Sequence, residues 1–326
     1  MESAIGIDIG GTNTVIGLIN QEGVIIDKKT IKTKEHESSE LFFEFLYIEI
    51  EKVINKYIDF KPLGIGIGAP NANNFTEEII SPPNLDWPTI HIPSIFKKYT
   101  GLKVIITNDA NSAALGEKRF GVAKKLSNFI VITLGTGLGS GVFISDQLVY
   151  GHQGFAGEMG HMSINPEGRK CNCGKRGCLE MYVSAKGITE TVKKLYHTQT
   201  DNEFLKKLLK KAKLKGVDGN VSGRDLDKAY DKSDATAISL YEYTAKKLGF
   251  GLSQVATLLE PEAFIFYGGF ANAGERVLVP TKKYLNQNLI PFQRDSIDLL
   301  FSGLNDGDAG ILGAASLIFN NFDKKF

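Results

Sequence analysis

Apolar residues run from Ala4 to Ile9, interrupted only by Gly6 and Asp8, and resume from Val15 to Ile19 after the bend Gly10-Gly11-Thr12-Asn13. Two short apolar runs around a glycine-rich bend predict a β-hairpin. The pattern returns far downstream, with Phe129 to Leu134, the stretch Gly135-Thr136-Gly137-Leu138-Gly139-Ser140-Gly141, and Val142 to Ile144. The simplest account of a hairpin repeated at that distance is two similar domains facing each other. Between them, Phe42, Leu46, Ile50, Val53 and Tyr57 recur every three or four residues, which predicts a helix covering the first sheet. Leu63 to Ala69 and Val104 to Thr107 read as further strands. Tyr241, Ala245, Leu248, Leu252, Val255 and Leu259 mark one long core helix that stops before Pro261. Ala263 to Tyr267 reads as a strand closed by Gly268-Gly269, and Ala309 to Phe319 as a terminal helix that crosses back to the first domain. Lys193 to Lys215, with Phe204, Leu205, Leu208 and Leu209 on one side, reads as a solvated helix face, and Asp218 to Ser222 as a turn.

Length and charge narrow the classes. At 326 residues the chain exceeds one usual core, and a prior of roughly 150 residues per domain gives two. The 38 basic and 37 acidic residues leave a net charge of +1, with no electrostatic mark of a nucleic-acid or membrane surface. No segment reaches the roughly 18 apolar residues of a membrane span, and the N-terminus lacks a basic or long apolar leader, so a cytoplasmic protein is expected.

The candidate chemistry begins with the glycines. At each bend they remove side chains where backbone amides can approach an anion, and Thr12 and Thr136 add hydroxyl donors, so two such bends suit a polyphosphate. Gly137-Leu138-Gly139 is followed by a strand-like run and not a helix, so the dinucleotide-binding context fails, and no Walker A sequence occurs. Bare backbone at Gly268-Gly269 suits a nucleoside. The amide-rich loops Pro70 to Asn74 and Pro82 to Trp87 suit sugar hydroxyls, which need donors and acceptors together, although turn shaping explains any one asparagine as well. Asn108-Asp109 stands between a strand and a helix start, as an N-cap or as a catalytic carboxylate at a strand end. All three cysteines, Cys171, Cys173 and Cys178, fall within eight positions, with His161 shortly upstream. Three thiolates and an imidazole make a closed tetrahedral Zn²⁺ set, structural because no coordination position remains for water. A disulfide would leave one cysteine over.

Asp8-Ile9-Gly10-Gly11-Thr12, Asn108-Asp109, Leu134-Gly135-Thr136-Gly137, Glu158-Met159-Gly160-His161 and Cys171-Asn172-Cys173-Gly174-Lys175-Arg176-Gly177-Cys178-Leu179-Glu180, in that order, resemble the ROK family of repressors, open reading frames and sugar kinases. Within it the likeness is to a glucokinase-type sugar kinase. The resemblance implies an actin-like (ribonuclease-H-like) α/β fold with an interdomain active-site cleft. The expected division is a small domain of residues 1–112 completed by a C-terminal helix at 306–326, and a larger domain of 113–305 with the zinc loop. It implies ATP and Mg²⁺ as cofactors beside Zn²⁺, and a hexose as substrate. Asp109 is then similar to the general base, Asn84, Asn108, Glu158, His161 and Glu180 to sugar-hydroxyl ligands, and Gly10, Gly11, Thr12, Thr136 and Gly137 to phosphate-loop positions. Asp8 resembles the carboxylate that reaches Mg²⁺, Gly268 and Gly269 line the nucleotide, and His161 binds zinc through one ring nitrogen while the other faces the sugar. Family members commonly form dimers or tetramers, so a homo-oligomer is expected.

The chain departs from the family pattern at Asn71, where Gly is frequent, at Asn13, where Lys is frequent, and at Tyr267-Gly268-Gly269, a variant of the usual glycine run. Ala72 offers no long side chain for an N-acyl group. Fructose, mannose or an N-acetylhexosamine are the alternatives to glucose. A sugar-responsive transcriptional regulator is the alternative of another class, disfavoured because the first glycine turn starts at Gly10 and leaves no room for a helix-turn-helix segment.

Overall fold

The computed structural model describes residues 1–82, 85–213, 219–269, 271–305 and 307–323. Contacts divide the chain into two compact units, Met1–Ser127 with Gly141–Gly157 and Ser302–Phe326, and Asn128–Ser140 with Glu158–Phe301. The first unit opens with β1 (Glu2–Ile9), β2 (Asn13–Asn20), β3 (Ile25–Lys32), α1 (Ser39–Lys56) and β4 (Lys61–Ala69). A small antiparallel sheet of β5 (Ala72–Asn73), β6 (Glu78–Ile79) and β7 (Ile90–His91) precedes α2 (Ile92–Phe96), β8 (Lys103–Asn108) and α3 (Asp109–Arg119).

The chain then enters the second unit with β9 (Phe129–Leu134) and β10 (Leu138–Ile144); the last residues of β10 belong to the first unit, where Phe143 and Ile144 pair with β11 (Gln147–Leu148). The second unit continues through α4 (Glu180–Val183), α5 (Ala185–Thr198), α6 (Glu203–Lys213), α7 (Gly223–Tyr230), α8 (Ala235–Leu259), β12 (Ala263–Tyr267), α9 (Glu275–Asn288) and β13 (Asp298–Phe301). Finally α10 (Ala309–Asp323) packs in the first unit.

The main sheet of the first unit has the order β3-β2-β1-β4-β8, with β1–β2 and β2–β3 antiparallel and β1–β4 and β4–β8 parallel. In the second unit the order is β10-β9-β12-β13, with β9–β12 and β12–β13 parallel. The helix read from Phe42, Leu46, Ile50 and Val53 is α1, whose apolar stripe is buried and whose Ser38 caps the Leu41 N–H. Among the described residues no helix is long and apolar enough to cross a membrane.

Alternation along β1 and β4 decides how the first unit packs. Successive side chains point to opposite faces of a strand, so Ile5, Ile7, Ile9, Ile65 and Ile67 join the cluster under α1, together with Phe42, Phe43 and Leu46. The other face carries Ala4, Gly6, Gly64, Gly66 and Gly68. There α10 approaches until a Cβ on Gly6 would lie 2.0 Å from the Ile311 carbonyl oxygen and one on Gly66 1.8 Å from that of Ala314. Helix α3 is pressed in as closely, since a Cβ on Gly313 would meet the Ser112 carbonyl oxygen at 1.7 Å. Helix α10 seats on bare backbone, and its own Ile311, Leu312, Ile318 and Phe319 fill the space around it.

Two expectations shift in detail. The lysine-rich stretch is two helices, α5 and α6, because the chain breaks after Thr198 and Asn202 caps Leu205; Lys206, Lys207, Lys210 and Lys211 are exposed, while Leu205 and Leu208 are buried. Its last two residues, and Asp218 of the expected turn, lie outside the described residues, and Ser222 caps α7. The second hairpin's return strand starts at Leu138, earlier than Val142, so Gly139 and Gly141 sit inside β10. Gly141 is there for packing: a Cβ would lie 2.6 Å from that of Ala114 in α3.

A methyl group on Gly66 faces a carbonyl that cannot move without displacing α10. Gly66→Ala is therefore expected to lower stability by about 1–3 kcal/mol or more, whereas Gly101→Ala, whose added Cβ meets nothing within 4 Å, leaves the urea unfolding midpoint nearly unchanged. Equal midpoints for the two variants would refute the backbone-on-backbone seating.

Candidate active site

The parallel strands β1, β4 and β8 stand in register, Asp8 beside Gly68 and Gly68 beside Thr107. Their C-terminal ends therefore deliver Gly10–Asn13, Pro70–Asn74 and Asn108–Asp109 to one edge of the first unit, the edge at which open α/β sheets bind ligands. In the first turn the Gly10 N–H donates to the Asn13 carbonyl at 3.0 Å. Thr33 braces the turn from β3's end, its N–H donating to the Thr12 carbonyl at 3.0 Å and its hydroxyl to that of Gly10 at 2.8 Å. Among the described residues the N–H groups of Gly11 and Thr12 have no protein partner, as an anion-receiving turn requires. Asn71 has φ 53°, a left-handed conformation that Asn tolerates, and its amide donates to the Ile80 carbonyl at 3.0 Å.

Asp8 projects from the glycine face of β1, under the first turn of α10, where a Cβ on Gly310 would lie 2.4 Å from its Oδ2. Burial there pushes its carboxyl from 3.8 up to about 7, and the charge of Asp109 adds to the rise. Asn108 caps α3 by accepting the Ala110 N–H at 2.9 Å, and Asp109 Oδ1 accepts the same N–H at 2.9 Å. The Asp109 side chain remains open to solvent. Protein atoms nevertheless crowd it enough that desolvation raises its proton affinity, against the lowering effect of the Ala110 N–H. No cationic side chain pairs with either carboxylate among the described residues.

In the second unit the C-terminal ends of β9 and β12 lie side by side, Thr133 beside Tyr267. The second and third glycine turns are thereby neighbours: Gly268, at φ 101°, comes so near β9 that a Cβ would lie 2.7 Å from the Leu134 carbonyl oxygen. Gly135 and Thr136 are exposed, and the Gly135 carbonyl accepts the Ala185 N–H at 3.0 Å. Glu180, first residue of α4, accepts the Leu138 N–H through Oε2 at 3.0 Å. A Cβ on Gly137 would stand 2.5 Å from that oxygen, so glycine there makes room for the carboxylate. A cavity of about 660 Å³ opens at the third turn, lined by Asn220, Ser222, Arg224, Asp227, Gly269 and Asn272, a volume typical of small-molecule sites.

The cysteine loop closes on itself. Ligand atoms of His161, Cys171, Cys173 and Cys178 all lie within 4.8 Å of one another, with Cys171 Sγ 3.7 Å from His161 Nδ1 and Cys173 Sγ 3.6 Å from Cys178 Sγ. A disulfide requires about 2.05 Å, and all three cysteines are free. Two sulfurs on a tetrahedral Zn²⁺ at about 2.3 Å stand about 3.8 Å apart, so the donor set fits that ion in number, type and spacing. Burial pushes the Cys178 thiol up to about 12 and raises that of Cys171, so a cation that binds here must displace their protons, whereas at Cys173 burial is outweighed by hydrogen bonds from the Lys175 backbone and the two neighbouring cysteines, which lower its proton affinity. With Nδ1 turned to the sulfurs, His161 presents Nε2 toward Glu158, whose Oε2 is 4.0 Å away. Glu180 Oε1 is 3.9 Å from Cys171 Sγ, so Glu180 and His161 share the rim of the cluster.

Each unit thus gathers its own group of expected residues: Asp8, Gly10, Gly11, Thr12, Asn108 and Asp109 in the first, and Thr136, Gly137, Glu158, His161, Glu180, Gly268, Gly269 and the cysteines in the second. Asn84 lies outside the described residues. Sequence reasoning missed Thr33 and Gly310. Neither carries a local mark, because both act through strand pairing and helix seating that join distant parts of the chain.

The ROK family model matches residues 4–321 of this chain. A glucokinase of Halalkalibacterium halodurans is 33% identical over 96% of this chain and 94% of its own length. A xylose repressor of Caldicellulosiruptor bescii is 31% identical over 98% of this chain and 78% of the repressor. Among solved structures, a ROK family glucokinase from Streptomyces griseus in complex with glucose and AMPPNP superposes with a TM-score of 0.77 at 32% identity, covering 97% of this chain and 98% of that one. With its glycine turns, strand-end aspartates and Cys₃His loop in the family's order, this chain belongs to the ROK family, and its fold is that of the ROK glucokinases.

Proposed function

We propose that the chain is an ATP-dependent hexose kinase of the glucokinase type, transferring the γ-phosphoryl group of ATP to O6 of glucose. The observation that carries this reading is Asp109: a carboxylate at the end of β8, open to a substrate, unpaired with any cation among the described residues, and with a raised proton affinity. Similarity to glucokinases, one of them solved with glucose and AMPPNP, supports the choice of reaction.

In this reading Asp109 accepts the hydroxyl proton as the sugar oxygen bonds to the γ-phosphorus and the bond to the departing ADP oxygen breaks. Asn108 spends its amide oxygen on the helix cap and keeps its NH₂ as a donor for a sugar oxygen. Glu158, His161 through Nε2, Glu180 and Asn84 hydrogen-bond the other hydroxyls and fix the nucleophile's orientation. The bare amides at Gly10–Thr12 and Thr136–Gly137 receive phosphate oxygens, and the nucleoside lies at Gly268–Gly269 beside the 660 Å³ cavity. Asp8, close to Asp109 and without a cationic partner, suits Mg²⁺, which when bound neutralises charge on the phosphoryl oxygens. Zn²⁺ on His161, Cys171, Cys173 and Cys178 is structural and sets the rim that carries Glu158 and Glu180.

A coupled ADP-release assay over glucose, fructose, mannose and N-acetylhexosamines tests the reading. Glucose is expected to give the highest kcat/KM, and sugar binding without turnover of any hexose would favour the regulator that the repressor relatives represent. Asp109→Asn is expected to lose about 10²–10⁴-fold in kcat while still binding sugar; a near-normal kcat would remove Asp109 from the base role.

Raised proton affinities at Asp8 and Asp109 mean that the basic forms appear only as pH rises. At low Mg²⁺ the rate is expected to increase through the region near pH 7, and the midpoint to move to lower pH as Mg²⁺ increases, since the ion competes with the Asp8 proton. A flat pH–rate profile from pH 5 to 8 would contradict this assignment.

Elemental analysis of purified protein should find one zinc per chain, and Cys173→Ser should lower that content. Metal-free protein with full activity would overturn the metal's structural role.

A further inference from the structure

Arg169 lies two residues before Cys171 and belongs neither to the metal set nor to the glycine turns. Its Nη1 donates to the Met181 carbonyl at 2.6 Å and to the Gly187 carbonyl at 2.8 Å, and Nη2 donates to Thr191 Oγ1 at 2.9 Å. The guanidinium carbon stands 4.7 Å from the centre of the Tyr182 ring, and the Arg169 backbone N–H donates to the Tyr182 hydroxyl at 3.2 Å. No carboxylate pairs with this charge among the described residues.

These bonds converge on the helix that carries Glu180. Helix α4 runs only from Glu180 to Val183, too short to satisfy its own carbonyls, and Arg169 supplies the donor for Met181. The same side chain reaches α5 at Gly187 and Thr191. There the two helices touch backbone to backbone, since a Cβ on Gly187 would lie 2.6 Å from the Met181 carbonyl carbon. The loop itself presses on the tyrosine, a Cβ on Gly168 standing 2.1 Å from the Tyr182 hydroxyl.

Cys178 ties the chain to the metal set on the N-terminal side of Glu180, and Arg169 grips it on the C-terminal side through Met181 and Tyr182. An arm held at one end can pivot, whereas one held at both ends cannot. We propose that Arg169 is a positioning residue: by clamping α4 to the loop independently of the metal, it holds the Glu180 carboxylate on the Leu138 N–H and in line for substrate. The substrate half of this inference rests on the reading of Glu180 as a sugar ligand; the positional half does not.

The test uses the zinc-loaded full chain with Arg169→Met and Arg169→Lys. Leu138 amide hydrogen exchange reports Glu180's position directly, and sugar KM, ATP KM, kcat and zinc content are measured beside it. In Arg169→Met the Leu138 amide is expected to exchange about tenfold faster and the sugar KM to rise about tenfold, with ATP KM and zinc per chain unchanged. Arg169→Lys, which keeps the charge but cannot reach three acceptors at once, should fall between, and it carries the test if the methionine variant does not fold. Unchanged Leu138 exchange in the folded variants overturns the proposal. Faster exchange in a chain that phosphorylates no hexose leaves the clamp standing and removes the kinase reading instead. Loss of zinc together with an equal rise in both KM values would make Arg169 a general support of the loop and overturn its specific role.

Discussion

The close seating of α10, with α3 packed against it, on a glycine-rich sheet face is the constraint on which the first unit depends. Van der Waals contact between helix and strand backbones is available only where Gly6 and Gly66 withhold their Cβ atoms, while Gly64 and Gly68 make room for the Ile318 and Ser112 side chains. The apolar weight of the sheet is carried on the opposite face, by isoleucines against α1. Because β1 ends in Asp8 on the glycine face, the same seating brings Gly310 onto its carboxylate and removes much of its water. A packing rule thereby sets an electrostatic property. In the folded chain Asp8 keeps its proton to about 7, compared with 3.8 ordinarily. Between those values the native state holds a proton that the unfolded chain releases, so this group's contribution to stability falls as pH rises. Ionising this carboxylate therefore costs the fold something, which links charge at this edge of the sheet to stability in one residue.

The second unit solves a different problem, holding an irregular loop of polar residues in one shape. Between Glu158 and Glu180 the backbone hydrogen bonds belong to turns and to the isolated pairs Ser163–Cys178 and Lys170–Arg176, not to a regular helix or sheet ladder. Four soft donors within 4.8 Å supply what secondary structure does not. The geometry also couples loop to turn: Glu180 is bonded to Leu138 at the end of the second glycine turn and lies beside Cys171. Glycine at 137 is then required by the carboxylate, because its backbone φ is not in the left-handed region.

Much of this was legible in the sequence because it is local. The Gly10–Asn13 hairpin, the stripe of α1, the cap at Asn108, the core helix before Pro261 and the Cys₃His set each follow from residues a few positions apart. Asn71 illustrates how far such reasoning reaches, since its left-handed φ of 53° is what a replacement for glycine requires. What stayed hidden depends on contacts between distant segments. The Ile–Gly alternation of β4 looks like an ordinary apolar strand until α10 is set against it, and Thr33 has no feature that announces its bonds to Gly10 and Thr12. The break between α5 and α6 was likewise invisible, because lysines continue on both sides of it. The stretch also lacks a proline or glycine to mark the stop.

The central claim is that helix seating over the end of β1 gives Asp8 a raised proton affinity beside a second such carboxylate, Asp109, the pair proposed to serve a cation and a hydroxyl proton. Carbon-13 NMR titration of the aspartate carboxyls, in metal-free and ligand-free protein, tests it most directly. The account predicts that Asp8 titrates near 7, and that in Asp109→Asn its midpoint falls but stays above the ordinary carboxylate range. An Asp8 midpoint near 4, indifferent to residue 109, would contradict it.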